Sequence, residues 1–149
     1  MSLLWRISNH RTLNGIGGLL APARWHNQGR PIVYCAANPG TALLEILVRL
    51  EVDPEDLPPT LIYLKIDAPD DVSAESVADL PEDWQERTDI TRQLGDEWLR
   101  SLRSALLHVP SVIVPATENV LINPAHPDAR KLTIAGTYAK PLDLRLLRR

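Results

Sequence analysis

The chain has 149 residues with 16 Lys and Arg against 19 Asp and Glu, a formal net charge of -3, 44% hydrophobic and 23% charged residues. That is sequence for one core and excludes a disordered or fibrous chain, while the near-balanced charge supplies no overall field for nucleic acid, so no direct DNA binding is expected. One cysteine excludes an internal disulfide and a multi-cysteine zinc cluster, and with no basic leader before an apolar stretch and no apolar window of bilayer length, the expected location is cytoplasmic, with no membrane insertion.

In chain order, the first readable element is 31–36, a short β-rich run preceded by glycine that suits a buried strand. A helix follows, with Asn38 as its cap and Pro39 in its first position, because Ala42, Leu43, Ile46, Leu47 and Leu50 recur at helical spacing. Glu45 stands four residues before Arg49 on that helix, away from Leu43 and Leu50. Asp53, Pro54, Pro58 and Pro59 end it, and 61–66 reads as the next strand. Residues 67–93 are polar and acidic with little periodicity, an ordered surface loop or lid rather than a linker. Asp96 is placed as the cap of a second helix carrying Trp98, Leu99, Leu102, Ala105 and Leu106. Segments 111–115, 120–122 and 132–135 read as short strands, and 123–128 as a turn-rich junction. The sum is a mixed α+β fold in one compact domain spanning 1–149, with no internal repeat.

Several residues offer chemistry beside a plain packing role. Arg24, Trp25 and the following His26-Asn27-Gln28-Gly29 combine a cationic fork, an aromatic surface and flexible backbone, which suits an anionic ring-containing ligand; packing of Trp25 and a surface ion pair for Arg24 is the alternative. Arg6 supplies a second charge for a diphosphate or is a surface arginine. Tyr34 either packs or presents its ring and hydroxyl to a ligand. Glu45 is either an exposed partner of Arg49 or a carboxylate directed into a cleft, where it can accept a ribose hydroxyl and stabilise positive charge at an anomeric carbon. Ser111 is a strand cap or a phosphate donor with no adjacent base to make it a nucleophile. Asn119 and Asn123 are turn residues or cleft amides. His10, His26, His108 and His126 lack metal-ligand spacing, so no metal is expected. Gly15, Gly17 and Gly18 lack the strand, turn and helix of a dinucleotide fingerprint. Cys35 reads as a buried strand thiol, and Arg145, Arg148 and Arg149 as a solvated terminus.

Taken in order, Arg24-Trp25, Asn27 to Pro31, Val33-Tyr34, Ala42-Leu43-Leu44-Glu45, Val109-Pro110-Ser111 and the run Asn119 to Pro127 resemble the RES toxin family over nearly the whole chain. The resemblance implies a fold similar to that of ADP-ribosyltransferases and an Xre-like antitoxin as partner, with homo-oligomerisation plausible from family behaviour. It implies that Arg24, Glu45 and Ser111 are the three residues for which the family is named, and that Arg6 and Tyr34 match further pocket positions. NAD would be the substrate rather than a bound cofactor, and inorganic phosphate the co-substrate that receives ADP-ribose. In that scheme Arg6 and Arg24 hold phosphates, Tyr34 positions the nicotinamide-ribose end, Glu45 contacts the ribose, Ser111 orients phosphate, and Asn119 binds substrate. Water or a protein side chain as acceptor, and a non-enzymatic interaction module, are the competing readings.

Overall fold

The computed structural model describes residues 1–49 and 58–147. Leu50, Asp53 and Pro54 of the expected helix end, the side chain of Arg49 and its expected pairing with Glu45, and Arg148 and Arg149 lie outside the described residues.

Alternation builds a mixed sheet. In β3 (Leu61–Ala68) Leu64, Ile66 and Ala68 are fully buried at every second position, the period that puts successive side chains on opposite faces. The same alternation sends Val120 and Ile122 of β6 (Glu118–Ile122) into a core with Leu4, Val33, Cys35 and Leu106, while Leu121 joins Trp25, Trp98, Leu99 and Val109 on the other side. Seven strands result, in the order β4-β5-β6-β2-β1-β3-β7, with β4 (Ala74–Ser76) parallel to β5 (Leu106–Pro110) and the other neighbours antiparallel. β7 (Thr133–Lys140) closes the far edge. β1 (Ser2–Ile7), not expected from the sequence, lies near the middle, six residues in register with β3. Against β2 (Val33–Ala36), however, only Trp5↔Ala36 is in register. Two adjacent strands held at one point diverge beyond it, and that opening positions the site.

Among the described residues three α-helices pack on the sheet. The short α1 (Gly17–Leu20) approaches the backbone closely, since a Cβ on Gly18 would stand 2.4 Å from the Arg30 carbonyl oxygen. Gly15 and Gly18 thus serve close packing rather than a dinucleotide turn, while Gly17 faces open space. In α2 (Pro39–Arg49) the expected cap is formed: Asn38 Oδ1 accepts the Thr41 amide at 2.8 Å, and Pro39 opens the helix. Ala42, Leu43 and Ile46 pack with Ile7, Ala36 and Leu61.

The second expected helix is displaced. α3 spans Thr88–Ser101, so Asp96 is inside it and is not its cap, and Leu102, Ala105 and Leu106 lie beyond it. Leu102 takes a left-handed conformation (φ 55°), a common helix stop. Ser104 then accepts Trp98 Nε1 at 2.9 Å and donates to the Leu106 carbonyl at 2.8 Å, turning the chain into β5. The expected strand over 111–115 is a turn between β5 and β6: Ser111 Oγ accepts the amides of Ile113 and Val114, both at 3.1 Å. The expected loop at 67–93 is shorter, because β3 runs to Ala68, β4 and a 3-10 turn (Trp84–Glu86) lie within it, and α3 begins at Thr88.

Candidate functional site

A cavity of about 610 Å³ opens where β1 and β2 part, walled by α1, the 21–26 turn, the first turns of α3, α2 and the β5–β6 turn. Its lining brings together Arg6, Arg24, Tyr34, Glu45 and Asn119, five residues singled out in the sequence. They arrive from β1, a turn, β2, α2 and β6, so the site depends on the whole fold. Ser111, 8% exposed, is absent from the wall and stands behind Glu45.

Glu45 is anchored by two donors. Asn119 Nδ2 donates to Oε1 at 2.8 Å and Ser111 Oγ donates to the same oxygen at 3.3 Å. The Ser111 hydroxyl has one proton, and its oxygen already receives two turn amides, so its orientation is set by the backbone. Two donors on one carboxylate oxygen fix the rotamer and present Oε2 as the oxygen available to a ligand. Glu45 therefore faces the cleft, the second of the two readings its sequence allowed.

Tyr34 is pinned at its hydroxyl. The Trp25 amide donates to it at 3.1 Å, and His26 Nδ1 lies 2.7 Å from it. That ties the Arg24–Trp25 turn to the sheet. His26 is 2% exposed, and burial lowers its pKa below the ordinary 6.5, with nearby Arg92 adding to the shift and the Gly18 and Ala21 carbonyls and Asp96 opposing it. The folded chain thus holds His26 neutral at a pH where the unfolded chain protonates it. Its contribution to stability is complete above pH 6.5 and declines as pH falls toward the lower folded-state value. Urea denaturation followed from neutral to mildly acidic pH is expected to show that decline, and His26→Gln to remove part of it. A wild-type-to-variant difference that stays constant with pH would contradict the assignment.

Arg24 donates from Nη1 to the Gln85 carbonyl at 2.7 Å, and Thr91 Oγ1 of α3 donates to the Arg24 carbonyl at 2.6 Å. Asp96, one turn further along α3, accepts the Asn27 amide at 3.0 Å and its Nδ2 at 2.7 Å. Between them Gly95 lies flat on Trp25, where a Cβ would meet the Trp25 carbonyl oxygen at 1.6 Å. Residues 91, 95 and 96 thus fasten one face of α3 to the turn carrying Arg24.

Sequence reasoning missed His26 as the partner of Tyr34 and Arg92 as a cavity residue. The available signal was the face Thr88, Thr91, Arg92, Gly95, Asp96, small and polar at helical spacing and continuous with buried Trp98 and Leu99. Cys35 is fully buried, its thiol pushed up to about 12 by desolvation, which matches an inert strand cysteine. Asn123 is buried and donates to the Leu99 carbonyl, a packing role. Among the described residues no group of three or more His, Cys, Asp or Glu could hold a metal ion, and no helix is long and apolar enough to cross a membrane.

Comparison with known proteins places these features in a wider set. The family model described as the RES domain matches residues 3–145. The chain is 47% identical over 132 residues to a Pseudomonas putida protein named Toxin Res, covering 89% of this chain and 91% of that protein. It is 36% identical to a Sphingobium protein named Prs ADP-ribosylating toxin, covering 97% of this chain and 96% of that protein. Among solved structures, a chain of the M. tuberculosis MbcT-MbcA toxin-antitoxin complex superposes with a TM-score of 0.72 at 13% identity, covering 97% of this chain and 86% of that one. That likeness establishes the shared α+β fold.

Proposed function

The chain belongs to the RES domain family, and on that footing we propose that it is the toxin of a toxin–antitoxin pair that breaks the nicotinamide–ribose bond of NAD and passes ADP-ribose to inorganic phosphate. The observation that carries this reading is the single cavity in which Arg6, Arg24, Tyr34 and Glu45 meet, with Oε1 of Glu45 fixed by two donors. In the reaction the bond between the anomeric carbon and nicotinamide breaks, and its electron pair neutralises the pyridinium ring. The leaving group needs no proton. A phosphate oxygen then bonds the anomeric carbon, giving nicotinamide and ADP-ribose 1-phosphate.

The chain's own contribution is orientation and charge. Glu45 Oε2 accepts a ribose hydroxyl and faces the positive charge that develops as the bond stretches. Ser111 and Asn119 act as positioning residues that hold this carboxylate, in place of the phosphate-orienting role expected of Ser111. Arg6 and Arg24 neutralise phosphates, and Tyr34 shapes the wall against the nicotinamide-ribose end. An Xre-like antitoxin that covers the cavity mouth and carries the DNA-recognition helices completes the system, in which the toxin works in the cytoplasm as part of a homo-oligomeric complex. That the fold neighbour comes from a toxin-antitoxin complex supports a protein partner.

A second reading, transfer of ADP-ribose to a protein, is favoured by the name of the Sphingobium relative. Purified protein incubated with NAD, with and without phosphate, distinguishes them. Phosphate-dependent ADP-ribose 1-phosphate is the expected product. Free ADP-ribose irrespective of phosphate would indicate hydrolysis, label on protein would indicate transfer, and no NAD loss from folded protein would leave an interaction module.

A further inference from the structure

We propose that Arg92 is a direct contact for the diphosphate of the nucleotide ligand, acting together with Arg24 in the cavity that Glu45 also lines; this rests on the NAD reading of the same cavity. Arg92 sits in the second turn of α3, half-buried, and lines the cavity. Its Nε donates to the Ala23 carbonyl at 2.8 Å. The next carbonyl along, that of Arg24, is held by Thr91 at 2.6 Å. The Arg92 guanidinium is therefore tethered to the backbone of the turn that carries Arg24, that turn is held again through the Thr91 contact, and the Arg24 guanidinium itself is held by the Gln85 carbonyl.

Neither arginine forms an ion pair with a carboxylate among the described residues. Asp89 and Asp96, three and four residues from Arg92 along the helix, are engaged by Arg87 and by Asn27, and the titratable neighbour His26 is kept neutral by burial. Two half-buried guanidiniums that line one cavity without a carboxylate partner leave positive charge there for an anionic ligand to neutralise. With Nε committed, Arg92 keeps its two terminal nitrogens, the fork that matches phosphate oxygens. The doubly esterified diphosphate of NAD carries one negative charge on each phosphate, which the two guanidiniums of this cavity would neutralise. A lone phosphate would leave one of them unmatched.

The test compares ADP with adenosine by titration calorimetry on the full chain. Arg92→Gln is expected to weaken ADP by about tenfold or more, the scale of a lost charge-assisted hydrogen bond, and to leave adenosine within about twofold by the same reasoning. A merely structural role would weaken both probes together and leave their ratio unchanged, which would overturn the proposal. Arg92→Lys keeps the charge without the fork and is expected to fall between wild type and Arg92→Gln. Should Arg92→Gln not fold, an Arg92→Lys ratio equal to that of wild type overturns the proposal by itself. Wild-type protein that binds neither ADP nor ADP-ribose would sink the NAD reading along with this one. Wild-type binding of ADP with an unchanged ratio in Arg92→Gln would sink this one alone.

Discussion

Glu45→Gln is expected to lower the rate of NAD consumption by about a hundredfold or more while leaving the fold intact. The substitution is nearly isosteric. The glutamine carbonyl oxygen can take the place of Oε1, where Asn119 and Ser111 donate at 2.8 and 3.3 Å, and these donors select that orientation because an amide NH₂ there would oppose two donors. The NH₂ then occupies the position of Oε2. A hydrogen-bond acceptor becomes a donor toward the sugar, and the negative charge is removed. Loss of one preorganised electrostatic contact in an enzyme site typically costs about 3–4 kcal/mol of barrier, or two to three powers of ten in rate. Thermal melting and NAD turnover measured on the same preparation separate this from misfolding. Turnover within a fewfold of wild type would remove Glu45 from the reaction.

Gly95→Ala carries the largest expected stability effect, and its sign is the informative part. In an ordinary helix interior the change from glycine to alanine is favourable by about 1 kcal/mol. Here the added methyl would stand 1.6 Å from the Trp25 carbonyl oxygen and 2.7 Å from its carbonyl carbon. Both are backbone atoms of a turn held in place from Tyr34, Thr91 and Asp96, so no flexible side chain can yield. The helix must move away from the turn, which costs the Thr91–Arg24 and Asp96–Asn27 hydrogen bonds and loosens Trp98 and Leu99, 1% and 2% exposed. Overpacking alone costs about 1–3 kcal/mol, and the lost contacts bring the expected destabilisation to about 4 kcal/mol, a large share of the ~5–15 kcal/mol that holds a domain together. Urea denaturation reads it directly. A variant as stable as wild type or more so would refute the close packing of α3 on Trp25.

What could be read from the sequence follows from which contacts are local. α2 was legible because its cap, its first proline and its apolar face lie within a dozen residues, and β3 because prolines bound it and its branched and aromatic residues favour pleated packing. α3 was misplaced for a physical reason: the face it buries is not apolar in its first half. Thr91 and Asp96 bond a turn 67 and 69 residues away, and no periodicity of apolar residues marks such a surface. The misread strand at 111–115 has β-branched Val112, Ile113 and Val114, but the hydroxyl of Ser111 captures two of their amides and closes a turn instead. β1 was overlooked because six residues containing an arginine give little pattern, and its place in the sheet is set by β3, some sixty residues later. The site was legible in residue identity through the ordered resemblance of its pieces. The connections that orient it, Ser111 and Asn119 on Glu45 and His26 on Tyr34, exist only once the strands are laid side by side.

The strand order bears on how such a chain is made. β1 leaves the ribosome first, yet its partners β2 and β3 follow later, and β2 in turn waits for β6. Arg6, Tyr34 and Asn119 therefore cannot surround a common space until translation has passed residue 122, where β6 ends. Pairings of such long sequence separation form slowly even in a finished chain. A nascent polypeptide that has not yet reached β6 therefore has no closed cavity, and whatever chemistry the cavity performs waits on that strand.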